Sequence, residues 1–251
     1  MGSYFMRSLS IVFLLVFVFN SFGQYPFEKF SAIKYKTYNG WKACKTGNEQ
    51  TTAFTLTIPK FFNRQDNLTI LLTVFDTNRD SSVITMLRNG RKLQQFSEPM
   101  LFNDMNLTEA VMMADINGDK LNDLKLVIPY MSNGLGINVR VIYLFQHEKT
   151  SFAKLSFDDE MFGYNRQERD FNNDGNYEIV TMSLVGYQNH SYWAFNLFDY
   201  KNNDLVNVNN KYNYPVLVQF LFKDNYRITK NMSRQKMKQF AQTEPDDYNK
   251  Q

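Results

Sequence analysis

Cysteine and histidine are nearly missing from this 251-residue chain, which has one Cys, Cys44, and two His, His147 and His190. A lone cysteine excludes an internal disulfide, so another device must staple the fold. Cys44 is expected to be buried and inert. Zinc sites built from His and Cys clusters fail by counting. A Ser-His-Asp or Cys-His centre needs a histidine with an orienting partner, and both histidines fall in or beside predicted turns, where a solvated surface is the simpler reading. Charge of one sign is lacking too: 28 Lys and Arg face 25 Asp and Glu, a net +3, which gives no argument for nucleic acid. Basic residues gather at Lys223, Arg227, Lys230, Arg234, Lys236 and Lys238, but Asp224, Glu244, Asp246 and Asp247 blunt that patch into a solvated face.

Long apolar runs are scarce. The unbroken run over residues 11–19 follows Arg7 and precedes Ser21 and Gly23. It is far shorter than the roughly 20 residues of a spanning helix. The arrangement predicts a secretory signal peptide over residues 1–23, in preference to a membrane anchor. No cysteine lies beside the cleavage site, which argues against a lipid anchor. The mature chain is therefore expected to be periplasmic or secreted, with no membrane span after signal cleavage.

What the sequence does have is strand chemistry. Aromatics are 16% of residues, and Phe, Tyr, Val, Ile and Thr fall in short segments separated by Asn, Asp, Gly and Ser, the pattern of strands and turns. Strands are predicted over residues 52–58, 68–75, 82–88, 92–96, 124–129, 138–146, 152–157, 177–183, 192–198, 205–208 and 216–222. Asn89-Gly90 predicts a type I′ hairpin, because both central residues of that turn need positive φ. Helix is expected in two places, weakly over 108–113 and over 233–243, where Ser233 caps and Met237 and Phe240 form an apolar stripe. One domain is expected over 24–243, with a frayed polar tail over 244–251. Tyr192 and Trp193 open a predicted strand and are read as core in preference to an exposed patch for a partner or glycan.

The segments 115–157 and 170–208 repeat each other weakly: a charged loop, an apolar strand, a polar turn, an aromatic strand and a final strand. The first loop reads Asp115-Ile116-Asn117-Gly118-Asp119-Lys120-Leu121-Asn122-Asp123. The second reads Asp170-Phe171-Asn172-Asn173-Asp174-Gly175-Asn176-Tyr177-Glu178. Both set oxygen side chains at positions 1, 3, 5 and 9, a spacing that can converge carboxylates, amides and backbone carbonyls on one hard cation such as calcium. The candidate ligands are Asp115, Asn117, Asp119, the Leu121 carbonyl and Asp123 in the first loop. In the second they are Asp170, Asn172, Asp174, the Asn176 carbonyl and Glu178. The second has Gly175 at position 6, where the loop turns through positive φ; the first has Gly118 at position 4 and Lys120 at position 6, so the second is expected to be the more regular site. Residues 76–80 carry the 1-3-5 spacing without the ninth-position acid and are read as an ordinary turn. Apolar strands after both loops exclude helix-loop-helix EF-hands.

The Asp-x-Asn-x-Asp pattern, the ninth-position acid and the following strand, over 115–129 and 170–183, resemble the FG-GAP or VCBS-type calcium-loop repeats of β-propellers. That resemblance implies an all-β fold, a β-propeller-like array of four-stranded antiparallel units with calcium as the structural ion. The stretch 90–96 ahead of Asp115 is further similar to a hairpin in small bacterial envelope propellers, some of which inhibit, or confer immunity to, lysozyme-like peptidoglycan hydrolases. The implied function is a binding protein with a protein partner such as a cell-wall hydrolase. An exported module for glycan binding or adhesion is the alternative. Asp158, Asp159 and Glu160 form an acidic cluster that could serve glycoside hydrolysis but reads more simply as a solvated turn, so no enzyme is expected.

Overall fold

Apolar strands too short to be stable alone must find partners across the chain, and the order in which they do so sets this architecture. A computed structural model describes residues 24–45, 51–75, 82–100, 102–103, 106–132, 134, 136–148, 150–161, 166–221 and 225–251. Residues 1–23 and 76–80, expected to be a signal peptide and a turn, lie outside them. Of the described residues 55% are in strands and 5% are helical, so the all-β expectation holds.

Two short strands come first, β1 (Ser31–Ala32) and β2 (Lys36–Tyr38). A meander follows: β3 (Lys42–Lys45), β4 (Thr51–Ile58), β5 (Leu68–Phe75), β6 (Ser82–Arg88) and β7 (Arg91–Glu98). Next come β8 (Val111–Ala114), β9 (Asp123–Ser132), β10 (Ile137–His147), β11 (Ser151–Met161) and β12 (Arg169–Asp170). The last part holds β13 (Ile179–Tyr187), β14 (His190–Lys201), β15 (Asp204–Asn207), α1 (Asn209–Tyr212), β16 (Val216–Gln219), α2 (Arg234–Met237) and β17 (Asp246–Lys250). All pairings are antiparallel. They make a five-stranded sheet, β3-β4-β5-β6-β7, a six-stranded sheet, β17-β11-β10-β9-β8-β2, and a four-stranded sheet in which β14 pairs β13, β15 and β16; β1 pairs β12.

The six-stranded sheet lies between the other two. One of its faces, with Leu124, Leu126, Ile128, Ile142 and Leu144, packs on Leu56, Ile70, Leu72 and Ile84 of the first sheet. Its other face, with Val127, Val139, Val141, Tyr143 and Phe145, packs on Ile179, Phe198 and Tyr200 of the third. Burial on both faces explains why β9 and β10 read as nearly continuous apolar runs. Each such Leu or Ile fully removed from water contributes about 1.5–3 kcal/mol. The third sheet's outer face carries Trp193, Phe195, Val216 and Val218 against Phe27 and Phe171, and Tyr192 packs on the opposite side with Leu217 and Met237. Tyr192 and Trp193 are thus both core, on opposite faces of one strand.

Several expectations are corrected. Consecutive sheets stack face to face, but no closed propeller or barrel forms among the described residues. The segment past Glu244 is not frayed: β17 pairs with β11, and Gln251 exchanges backbone hydrogen bonds with Lys154 at 2.8 and 2.9 Å. Residues 111–114 form β8 rather than helix, because Val111 and Met112 bury between layers. Asp158, Asp159 and Glu160 are no turn but the end of β11. Cys44 is only partly buried, on edge strand β3. By contrast, Asn89 and Gly90 have φ of 49° and 80°, as the predicted hairpin requires, and Ser233 caps α2 by accepting the Lys236 N–H at 3.2 Å.

Candidate functional site

Each charged loop joins a short strand to a long one, β8 to β9 and β12 to β13, and the two fold alike. The position-1 Asp accepts the N–H of position 6, from Lys120 to Asp115 at 2.9 Å and from Gly175 to Asp170 at 3.0 Å. The position-3 Asn accepts the N–H of position 5, at 3.1 Å for Asn117 and 3.4 Å for Asn172. The position-5 Asp accepts the N–H of position 7, from Leu121 to Asp119 at 2.7 Å and from Asn176 to Asp174 at 2.9 Å. The ninth-position acid accepts the N–H of position 2, from Ile116 to Asp123 at 2.9 Å and from Phe171 to Glu178 at 3.0 Å. Four matched bonds make the 1-3-5-9 spacing a geometric unit, beyond what turn composition alone would produce.

Backbone angles revise the glycine argument. Positions 4 and 6 both have positive φ in both loops: Gly118 at 75° and Lys120 at 69°, Asn173 at 60° and Gly175 at 84°. Each loop has one glycine for two left-handed positions, so Gly118 is no departure. The difference lies in the partner residue, since Asn visits this region more readily than Lys. The first loop carries the greater backbone strain.

The loops also touch each other. Tyr177 donates its N–H to the Ile116 carbonyl at 2.9 Å, and a Cβ at Gly118 would meet the Gly175 carbonyl oxygen at 3.2 Å. Sequence spacing gave no sign of this contact, which joins the middle layer to the third.

The ninth-position acids are the most buried members, Asp123 at 0% and Glu178 at 1% exposure. The second oxygen of Asp123 accepts the Gln146 N–H at 2.9 Å; that of Glu178 accepts the Tyr212 hydroxyl. These carboxylates therefore clamp their loops to β10 and α1. Gln146 and Tyr212 were missed in the sequence because nothing local marks them. Burial pushes the Asp123 carboxyl up to about 7, with the Asp119 and Asp115 charges adding to it. Burial also raises Asp115, again with Asp119 adding, and raises Glu178. Asp174 is held low by the Asn176 N–H.

Among the described residues no three His, Cys, Asp or Glu side chains are gathered around one point. The donor set each loop offers is mixed, acids with amide and backbone oxygens, as suits a hard cation. One of these oxygens, Asp115 Oδ1 in the first loop, is buried with no hydrogen-bond donor; in the second loop the Asn176 side-chain Oδ1, which is not among the candidate ligands, is in the same state while its amide donates to Asp199 at 2.5 Å. A buried acceptor without a donor costs about 1–3 kcal/mol, and a cation would remove that cost along with the Asp119 and Asp115 repulsion that adds to the effect of burial on Asp123. The residues fit calcium on these grounds.

Elsewhere, paired charges are buried in the middle sheet. Glu98 joins Arg140 Nε at 2.8 Å and Lys154 Nζ at 2.7 Å, and Lys125 joins Glu168 at 2.7 Å. Neither histidine has a carboxylate partner among the described residues: His147 meets the Tyr200 hydroxyl at 3.0 Å and His190 meets Gln219 at 3.3 Å. No family model, curated protein or solved structure matches this chain.

Proposed function

We propose that this chain is an exported, calcium-stabilised binding protein whose target is another protein. The observation that carries the reading is the duplicated loop, with the same four hydrogen bonds in each copy, and in the first a candidate ligand oxygen, Asp115 Oδ1, buried without a donor. Asp115, Asn117, Asp119 and Asp123 would hold one ion, and Asp170, Asn172, Asp174 and Glu178 a second, with the Leu121 and Asn176 carbonyls completing each set. Bound calcium would supply positive charge beside the loop carboxylates, drawing each loop together and anchoring the strand that follows it. This is FG-GAP/VCBS-type chemistry used as a staple, in a chain with no disulfide to serve instead. The isolation of both histidines from carboxylates supports binding over catalysis.

Calcium added to chelated protein is expected to raise the melting temperature. At ten times the dissociation constant the gain is about 1.4 kcal/mol by mass action, or about 3–6 °C for a chain of this size. Asp174→Ala should remove more of that shift than Asp119→Ala, because Lys120 strains the first loop. No shift at millimolar calcium refutes the staple. The partner reading is tested by turnover of lysozyme-class hydrolases with excess protein, where inhibition supports it and unchanged rates across several hydrolase classes retire it.

A further inference from the structure

The end of the middle sheet away from the loops contains a cleft of about 640 Å³. Tyr130 lies seven residues beyond Asp123 along β9, a distance of about 23 Å at strand rise. The cleft runs between Met100, Tyr130 and Tyr248, with Arg140, Asp158 and Asp247 at its polar side. A smaller pocket of about 170 Å³ shares Tyr130 and Asp158 with it and extends to Asn138, Glu160 and Asp246.

Acceptors here outnumber donors. Glu160 Oε2 and Asn138 Oδ1, on directly paired residues of β11 and β10, are shut off from solvent and have no hydrogen-bond partner. Asp246 and Asp247 are exposed on β17. The Arg140 guanidinium is already committed to Glu98, Asp158, Ser156 and the Asp247 carbonyl, and Arg166 to Asp159 and the Glu160 carbonyl. Around this acidic pocket the surface is apolar: among the described residues of the β9–β10 hairpin, Tyr130, Met131 and Ile137 are exposed, Met131 at 58%. Burial, and then the neighbouring Asp159, raises the Glu160 carboxyl against the lowering charge of Arg166.

We infer that this cleft receives an arginine side chain presented by a protein partner between apolar residues. The carboxylates of Glu160, Asp246 and Asp247, which line these two pockets without an ion-pair partner among the described residues, call for a cation rich in donors, and guanidinium has five N–H groups and no acceptor. Its planar face can stack on Tyr130 or Tyr248, and the aliphatic stem suits the walls. A bare metal ion would leave a cleft of this volume and its apolar rim unused. This inference rests on the protein-binding reading above but not on the calcium loops, which lie at the other end of β9.

The test uses the full chain and a blocked Leu-Arg-Leu peptide, with citrulline replacing arginine in a control of the same shape without charge. Binding is followed by the chemical shifts of cleft resonances. The arginine peptide is expected to bind in the millimolar range and the citrulline peptide about tenfold or more weakly, the loss of a charge-assisted contact. Asp246→Asn combined with Asp247→Asn should weaken arginine binding several-fold while leaving the fold intact, since both side chains are exposed and Arg140 uses only the backbone of Asp247. Asp174→Ala should leave it unchanged, so failure of the calcium reading and failure of the cleft are separable. Equal binding of the two peptides, no shift at about 10 mM peptide, or cleft resonances that respond to calcium alone would each overturn the inference.

Discussion

Gly118 and Gly175 share a backbone conformation but not surroundings, which makes them a matched pair. Their φ values are 75° and 84°. Replacing either by Ala places a Cβ in left-handed backbone at a cost of about 1–2 kcal/mol. At Gly175 the new Cβ meets nothing within 4 Å, so that is the whole cost. At Gly118 it meets the Gly175 carbonyl oxygen at 3.2 Å and the carbonyl carbon at 3.4 Å. Both are backbone atoms of the second loop and cannot rotate away. Forcing them apart adds an overpacking cost of about 1–3 kcal/mol. Gly118→Ala should therefore lose about 2–5 kcal/mol against about 1–2 kcal/mol for Gly175→Ala. Urea unfolding of the chelated proteins measures both, with the difference appearing in the midpoint at constant slope. Calcium titration adds a second reading, because Gly118→Ala should weaken both ions while Gly175→Ala should weaken chiefly the second. Equal losses of stability, or a larger loss at Gly175, would refute the contact between the loops.

Three further outcomes follow from buried charge. Glu98→Gln leaves Arg140 and Lys154 buried without their shared anion and should cost about 3–5 kcal/mol by denaturation, whereas Asp204→Asn, which breaks the exposed pair with Lys250, should cost a small part of that. The Asp123 carboxyl, raised to about 7, must lose its proton to bind an ion. The calcium-induced rise in melting temperature should therefore shrink as pH falls from 8 to 6, while the contribution of that carboxyl to the chelated protein grows over the same interval; a pH-independent rise counts against Asp123 as a ligand. Burial alone would raise the Glu168 carboxyl, but the Lys125 ammonium and the Tyr143 and Tyr35 hydroxyls outweigh it and hold the group low. Its stabilisation is present above the ordinary Glu value of about 4.3 and is lost as pH falls below it, so Glu168→Gln should flatten the acid limb of the stability profile.

All eleven predicted strands exist, because each carries enough apolar or β-branched residues to announce itself within one window. Of those missed, β1, β2 and β17 are held by distant partners. β1 has two residues, and β2 reads Lys-Thr-Tyr; neither has a pattern to detect, and each exists only because β12 and β8 lie alongside. β17 reads Asp-Asp-Tyr-Asn-Lys, a sequence that looks solvated; its place comes from backbone pairing with β11 and from Tyr248, which packs on the core, and Asn249, which accepts from Lys154 at 2.8 Å. Residues 111–114 were ambiguous since a four-residue apolar run has no period to measure. At the loops, the 1-3-5-9 unit that the hydrogen bonds form was legible from spacing. Their mutual contact, and the clamping of Asp123 and Glu178 to Gln146 and Tyr212, join residues from different layers, and a single sequence has no term for that. The same holds for Arg140, Lys125 and Lys154, whose strands read as core although their charges have partners 42 to 56 residues away.

The middle sheet takes strands from residue 36 to residue 250, which has a consequence for the order of assembly. Non-local pairings of this kind fold slowly, and β17 cannot be in place until nearly the whole chain is made. Until then β11 is an open edge, the kind of surface on which unfinished chains join one another. Lys154, Asp158 and Glu160 lie along that edge, and charge on an edge strand discourages a foreign strand from pairing there. The residues that β17 later covers would thus act first as gatekeepers, protecting the half-built protein from its own copies.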